Sequence, residues 1–139
     1  MWGRTNGLRV LELGTPGDMR TWLTDLVLTG RKKATAGLLE LDYHAENEEL
    51  EHVGEHLALI DDSGTHAATV EVVDVVLLPF AEVTWVFAES EGEGYDTIDD
   101  WREAHRRYWR DEGVVVDDAT TVVCLSFRLV CLSFRLVSQ

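Results

Sequence analysis

Two adjacent lysines, Lys32 and Lys33, are the only lysines in a chain that otherwise carries ten arginines. They lie in the segment Gly-Arg-Lys-Lys-Ala-Thr at residues 30–35. The pKa of a lysine can fall when the side chain is buried, whereas arginine stays charged. Beside the hydroxyl of Thr35, a lysine can hold an anion or lower the cost of deprotonating that hydroxyl for nucleophilic attack. The alternative is a pair of cations that interact with the C-terminal dipole of a preceding helix.

A second segment with chemical potential is Glu-Ser-Glu-Gly-Glu-Gly at residues 89–94. Glu89, Glu91 and Glu93 stand at alternate positions, so one or two of them can face a pocket as a general acid or base. They could also bind a hard cation, although the oxygen-ligand loop of an EF-hand is not present. A solvated acidic loop is the alternative in a chain with 26 acidic residues.

Histidines give little support for a metal centre. His52 and His56 have the spacing of a helical metal pair, but Gly54 lies between them and a third ligand is missing. His105 shares a predicted helix with a stripe of arginines that could contact phosphate. Acidic residues at pairing distance on the same helix favour a surface of ion pairs instead. We therefore predict no metal and no cofactor.

These segments must be positioned by an α+β fold. Hydrophobic periodicity and turn residues predict strands over residues 8–13, 34–41, 56–60, 65–78 and 120–130. They predict helices from Asp18 to a stop at Gly30, from Pro79 through Glu89, and from a cap at Thr97. Alternation at Val83, Trp85 and Phe87 would also suit a strand in the second of these segments. The order predicts one domain over residues 1–139, a small, mostly antiparallel β-barrel of five to six strands flanked by about three helices.

The charge of the chain restricts its partners. The formal net charge is −14 because 26 acidic residues face 12 basic ones. A protein that binds long nucleic acid duplexes through a broad basic surface is therefore excluded, and an anion must be received at a local basic site. No apolar run is long enough to span a membrane, and because the N-terminal residues do not follow a basic-then-apolar pattern we expect neither secretion nor organelle import. Cys124 and Cys131 would lie about 23 Å apart in an extended strand, too far for a disulfide, so we expect a reduced, cytoplasmic protein.

A perfect tandem repeat occupies the C-terminal end of the chain. Residues 124–130, Cys-Leu-Ser-Phe-Arg-Leu-Val, recur at residues 131–137. Side chains alternate with a period of two along a strand, so a repeat of odd length reverses which face is apolar. We predict that residues 122–130 form the last barrel strand, that the core covers about residues 18–130, and that residues 131–139 are an overhang.

Taken in order, these segments resemble those of a known family. They are the helix ending Leu-Thr-Gly-Arg-Lys-Lys-Ala-Thr, Val53-Gly54-Glu55, Pro79-Phe80, the acidic run after Phe87-Ala88, the Trp101-x-x-x-His105-x-x-Tyr108 helix, and Val-Val-Cys-x-x-Phe-Arg-Leu-Val at residues 122–130. This pattern resembles an ASCH domain protein of the longer bacterial and archaeal type, related to the PUA-like fold. The resemblance covers about residues 18–130.

The resemblance implies a small β-barrel with a cleft lined by the Gly-x-Lys-x-x-Thr element, which binds RNA or nucleotides. A short bacterial relative is similar to an amidohydrolase that removes the acetyl group of N4-acetylcytidine with lysine, threonine and glutamate. The counterparts here are Lys32 as activator and oxyanion partner, Thr35 as nucleophile or water-orienting hydroxyl, and Glu91 as proton carrier. The sequence departs from the family pattern at two positions, and both bear on the identity of the substrate. Lys33 stands where the family usually has a threonine after the motif lysine, and Leu125 stands where a glutamate is common in the last strand.

The expected ligand is a nucleoside, a nucleotide or a short RNA. The remaining candidate substrate-binding residues are Arg31, Lys33, Glu89, Glu93, Trp85 and Tyr108. A non-catalytic module is the alternative function, with Arg31, Lys32 and Lys33 on phosphate and Trp85 or Tyr108 stacking on a base. Another relative in the family is described as a ribonuclease, which gives a further alternative.

Overall fold

The computed structural model describes residues 1–132, which form six strands and three α-helices. The strands are β1 Arg4–Thr5, β2 Leu8–Leu11, β3 Ala34–Leu38, β4 His56–Ile60, β5 His66–Pro79 and β6 Thr121–Leu132. The α-helices are α1 Asp18–Leu28, α2 Trp85–Ser90 and α3 Ile98–Asp111. A π-helical turn, Leu39–His44, follows β3, and a 3₁₀ turn, Phe80–Glu82, precedes α2.

The strands form one mixed sheet in the order β1-β2-β4-β5-β6-β3. Only β2 and β4 run parallel among these pairs. Within residues 1–132, β1 and β3 are the two edges and do not pair, so the predicted barrel is not closed. Strand β1 has only two residues, and the predicted strand over residues 34–41 ends at Leu38 because the chain turns into the π-helical turn.

The helices follow the sequence signals with one exception. Gly30, at φ +79°, donates its N–H to the carbonyl oxygen of Val27 and ends α1 as predicted. The side chain of Thr97 accepts from the N–H of Asp100 at 3.1 Å and begins α3 as predicted. The predicted helix from Pro79 through Glu89 is divided, because Val83 is extended and the side chain of Thr84 caps a new helix.

Two apolar clusters cover opposite faces of the sheet. Helix α1 packs on one face, where β6 contributes Leu125 and Phe127. Helices α2 and α3 pack on the other face, where β6 contributes Val122 and Cys124. This division follows from the period-two alternation of side chains along β6. In the described part of the chain, no helix has both the length and the apolar character that a membrane-spanning helix needs.

The junction of the tandem repeat lies inside β6 and contains a bulge. Leu129 pairs with Val70 and Cys131 pairs with Thr69, so Val130 is the extra residue. The extra residue offsets the change of face that a repeat of odd length would cause. Leu129 and Leu132 therefore both pack against the apolar cluster under α1, which we call the α1 cluster. The strand therefore continues two residues beyond its predicted end at Val130. The other residues of the predicted overhang, 133–139, lie outside the described residues.

The packing of β6 predicts which of its side chains matter for stability. We expect Phe127→Ala to lower the free energy of unfolding by about 3–5 kcal/mol, because Phe127 is buried in the α1 cluster. Val130→Ala is the matched control on the same strand, since Val130 is 39% exposed, and should cost less than about 1 kcal/mol. Urea denaturation measures both, and similar losses would contradict the described register of β6.

Candidate functional site

Lys32 is buried directly after α1. The N–H groups of Arg31 and Lys32 both donate to the carbonyl oxygen of Leu26 at 2.9 Å, which holds the chain in a tight turn beyond the helix. The side chain of Lys32 is only 1% exposed. A buried ammonium group is unfavourable unless opposite charges and hydrogen-bond acceptors surround it. The predicted catalytic lysine must therefore have partners from another part of the chain.

Those partners are Glu91 and Glu93. The Nζ of Lys32 lies 2.6 Å from Oε2 of Glu93 and 3.3 Å from Oε2 of Glu91. The two carboxylates are also largely buried, with side chains 2% and 8% exposed. The structure thus brings together Lys32 and Glu91, which the sequence predicted as catalytic, and adds Glu93, which was predicted only to bind substrate.

Helix α3 holds the Glu91 carboxylate from the other side. The indole Nε1 of Trp101 donates to Oε1 of Glu91 at 3.0 Å. The imidazole of His105 stacks on Trp101 with ring centroids 4.0 Å apart, and its Nε2 lies 3.8 Å from Oε2 of Glu91. The sequence predicted His105 on a helix of surface ion pairs, and this contact with Glu91 was not predicted. The i, i+4, i+8 spacing of Trp101, His105 and Trp109 is the signal that could have found it.

Gly92 allows the acidic loop to reach the lysine. It lies between the two glutamates at φ +70°, and a Cβ atom there would lie 2.2 Å from the carbonyl oxygen of Arg31. The N–H of Lys33 donates to the carbonyl oxygen of Ser90 at 2.9 Å beside this contact. Backbone contact therefore fixes the position of the loop relative to Lys32.

The cluster of Lys32, Glu91, Glu93 and His105 shifts the proton affinities of its members. Burial would raise the pKa of Glu91, but the charge of Lys32 and the contact with His105 hold it well below the usual range. Burial, reinforced by the charge of Glu91, raises the pKa of Glu93 to about 7. Burial opposes the charged form of His105, yet the Glu91 carboxylate raises its pKa. These shifts favour the ionised form of Glu91 and the protonated forms of Glu93 and His105.

A cavity of about 430 Å³ opens beside this cluster. Lys32, Thr35, Glu91, Glu93 and Tyr108 line it, so the three predicted catalytic residues share one cavity. Its volume falls in the range of small-molecule sites. The predicted substrate-binding residue Tyr108 is therefore placed where such a role is possible.

Acidic groups dominate the cavity wall. The lining carboxylates within the described residues are Glu12, Asp42, Glu46, Glu51, Glu91, Glu93 and Glu112. The cationic side chains among the same lining residues are Lys32 and His105. Burial raises the pKa of Asp42 and of Glu51, and the hydroxyl of Tyr43 donates to Oε1 of Glu51 at 2.8 Å. The π-helical turn that carries Asp42 and Tyr43 gave no clear signal in the sequence.

Four predicted substrate-binding residues lie outside the cavity wall. Arg31, Lys33 and Glu89 are exposed, and Trp85 is half-buried against the apolar cluster on the face of the sheet that α2 and α3 cover. The cavity lining of the described chain includes none of them. Their role in substrate binding stays a prediction, and any ligand they contact would extend beyond the cavity.

The same cluster has the donor atoms of a metal site. Ligand atoms of Glu91, Glu93 and His105 lie within 4.8 Å of one another. The ammonium group of Lys32, however, already lies between the two carboxylates and supplies the positive charge that a metal ion would bring. A divalent ion would have to displace it, so the arrangement suits metal-independent chemistry better.

Solved structures with a similar fold include two at moderate sequence identity. Protein EF3133 from Enterococcus faecalis V583 is 29% identical to this chain, with a TM-score of 0.82. The match covers 94% of this chain and 80% of EF3133. The ASCH domain from Lactobacillus crispatus JV V101 is 25% identical to this chain, with a TM-score of 0.74. The match covers 86% of this chain and 77% of that domain structure. The hypothetical protein PH0355 shares the fold alone, with 16% identity and a TM-score of 0.53. The match covers 77% of this chain and 90% of PH0355.

Comparison with protein families gives a match over most of the chain. The family described as the ASCH domain matches residues 11–131. That range contains all of the cluster around Lys32. No curated protein matches the sequence.

The contact at Gly92 predicts a substitution effect. Gly92→Ala places a Cβ against the Arg31 carbonyl, so we expect it to cost about 2 kcal/mol more in unfolding free energy than Gly94→Ala. Gly94 is the matched control because it has a similar φ of +87° with nothing within 4 Å of its added Cβ. Thermal and urea denaturation measure the difference, and equal losses would mean that the two segments do not touch.

The shifted pKa values predict how stability depends on pH. Folding raises the pKa of Glu93 to about 7, so the folded state holds a proton that the unfolded chain has already lost above about pH 4.5. The raised pKa of His105 adds stability that is lost as pH rises above its unfolded value of about 6.5. We therefore expect the Tm to fall between pH 5 and pH 8 by on the order of 5 °C.

Glu93→Gln is the control for this pH dependence. Glutamine has the shape of the protonated carboxyl and still offers an acceptor oxygen to Lys32, so the variant should fold and lose much of the fall in Tm. An unchanged slope in the variant would show that Glu93 titrates normally.

Proposed function

The chain belongs to the ASCH domain family, and on that premise we propose that it is an amidohydrolase acting on a small acylated compound such as an N4-acylated cytidine. The family is PUA-like and suggested to bind RNA. The observation that carries the proposal is a buried lysine, paired with two carboxylates, at the wall of a cavity that a threonine also lines.

Each member of this group matches one requirement of amide hydrolysis. The ammonium group of Lys32 can stabilise the oxyanion that forms when the amide carbonyl is attacked. The hydroxyl of Thr35 can attack the carbonyl or orient a water molecule. A carboxyl group must carry a proton to the leaving amine, because an amide anion is a very poor leaving group. The family resemblance implies that Glu91 has this role.

The acidic wall favours an uncharged substrate over a phosphate ester. Seven carboxylates line the cavity within the described residues, whereas the cations on its wall are Lys32, His105 and the N-terminal ammonium group of Met1, which pairs with Glu46. Phosphate groups would be repelled in such a confined site, where charges interact more strongly than in water. The charge of the wall therefore favours a free nucleoside over a nucleotide or an RNA chain.

Turnover of N4-acetylcytidine tests the proposal. Purified protein should release acetate and cytidine, and Lys32→Ala should lower kcat/KM by at least about 100-fold through the loss of oxyanion stabilisation. Thr35→Val should also be inactive, whereas Thr35→Ser keeps the hydroxyl and should keep measurable activity. Glu103→Gln is the control because Glu103 is an exposed residue of α3 that pairs with Arg107. Chromatography of the nucleosides gives the rates.

The binding-only alternative predicts different outcomes. It requires that RNA or a nucleotide bind with a steep salt dependence and that the double change Arg31→Ala, Lys33→Ala weaken this binding. Absence of turnover across a set of acylated nucleosides, together with such binding, would overturn the amidohydrolase. Cleavage of unrelated RNAs on a gel would instead favour the ribonuclease.

A further inference from the structure

We infer that Glu93, rather than Glu91, carries the proton in this site, and that Glu91 with His105 forms a fixed support for Lys32. The chemical step rests on the proposed amide hydrolysis. Which group holds the proton is independent of the proposed function and can be tested without a substrate.

Both oxygens of Glu91 already face hydrogen-bond donors or cations. Oε1 accepts from the indole Nε1 of Trp101, and Oε2 faces the Nζ of Lys32 at 3.3 Å and the Nε2 of His105 at 3.8 Å. The residue as a whole is 1% exposed. A proton added to this carboxylate would weaken these contacts, and moving it toward a leaving group would break them. The contacts therefore favour a permanently ionised Glu91.

His105 strengthens this restraint. Its Nδ1 lies 2.8 Å from the carbonyl oxygen of Trp101, which can only accept, so Nδ1 must carry a hydrogen. The opposite nitrogen, Nε2, therefore points toward Glu91. Stacking on Trp101 and burial fix the ring in this orientation. His105 acts through Glu91 and is a positioning residue.

Glu93 is bound differently. Within the described residues, its one hydrogen-bond donor is Lys32, at 2.6 Å. It lines the cavity and lies between Gly92 and Gly94, both at positive φ. A protonated Glu93 can donate to the ionised Glu91 beside it, so the proton has a defined place in the resting site. The burial that raises its pKa to about 7 supports this assignment.

The charged and titratable groups around Glu93 come from three segments. Lys32 lies before β3, Glu91 and Tyr95 belong to the loop between α2 and α3, and His105 belongs to α3. Lys32 favours the ionised form of Glu93, whereas Glu91 favours the protonated form. Glu91 is therefore the neighbour whose removal should lower the pKa of Glu93.

The proton balance of hydrolysis can be completed with this residue. The reaction begins from the ionised form of Glu93, which is populated alongside the protonated form near pH 7. The attacking hydroxyl gives its proton to this carboxylate as the new C–O bond forms, and the carbonyl electrons move to an oxyanion near Lys32. When the oxyanion collapses, the C–N bond breaks and its electron pair goes to nitrogen. Glu93 gives the same proton to that nitrogen. If Thr35 is the nucleophile, water repeats the sequence on the acyl ester and releases the carboxylic acid.

Side-chain carboxyl NMR of the intact protein tests where the proton is held. In protein labelled with ¹³C at glutamate, a carboxyl signal should titrate near pH 7, disappear in Glu93→Gln and move to lower pH in Glu91→Gln. The proposal is overturned if the signal survives in Glu93→Gln, or if no glutamate titrates above pH 6. Should Glu91→Gln fail to fold, the Glu93→Gln comparison decides by itself.

The pH profile of turnover tests the catalytic part. With N4-acetylcytidine as the probe, Glu93→Gln should lower kcat by about 100-fold or more, while Glu93→Asp keeps some activity. The inflection near pH 7 in kcat/KM should move to lower pH in Glu91→Gln, a shift that a purely structural defect would not produce. Full activity in Glu93→Gln would overturn the assignment. Absence of wild-type turnover would refute the amidohydrolase, whereas the NMR titration would still decide which glutamate holds the proton.

Discussion

The burial of one ammonium group is the constraint on which the site depends. Removing Lys32 from water costs several kcal/mol, and only close carboxylates can offset that cost. Those carboxylates lie 59 and 61 residues further along the chain, so they must be brought to the lysine by tertiary structure. The close approach at Gly92 and the hydrogen bond from Trp101 follow from this requirement. The polar cluster is therefore part of the architecture as well as a candidate site.

The same cluster joins the two halves of the core. Lys32 follows α1, which packs on one face of the sheet, whereas Trp101 and His105 belong to α3 on the other face. The acidic loop connects them around the end of β3. Within a low-dielectric interior, each contact strengthens its neighbours, and an unpaired member would be costly. The position of α3 is thus linked electrostatically to the end of α1.

The sequence predicted local features better than long-range ones. Gly30 and Thr97 identified helix ends because their signals act within a few residues. The family resemblance, confirmed by the match over residues 11–131, placed Lys32, Thr35 and Glu91 together. Closure of the barrel was predicted wrongly because edge pairing depends on strand length and on the π-helical turn. His105 was missed because a histidine among arginines looks solvated until the packing of the helix is known.

The acidic wall of the cavity has a consequence for product release in the proposed amide hydrolysis. In that reaction an amide would enter without charge, and its hydrolysis would yield a carboxylate and an amine. The new anion would then stand beside a wall that carries Glu12, Glu46 and Glu112, whose negative charge promotes its departure. A wall of this kind binds substrate without the help of charge and expels the acid product. It would limit product inhibition.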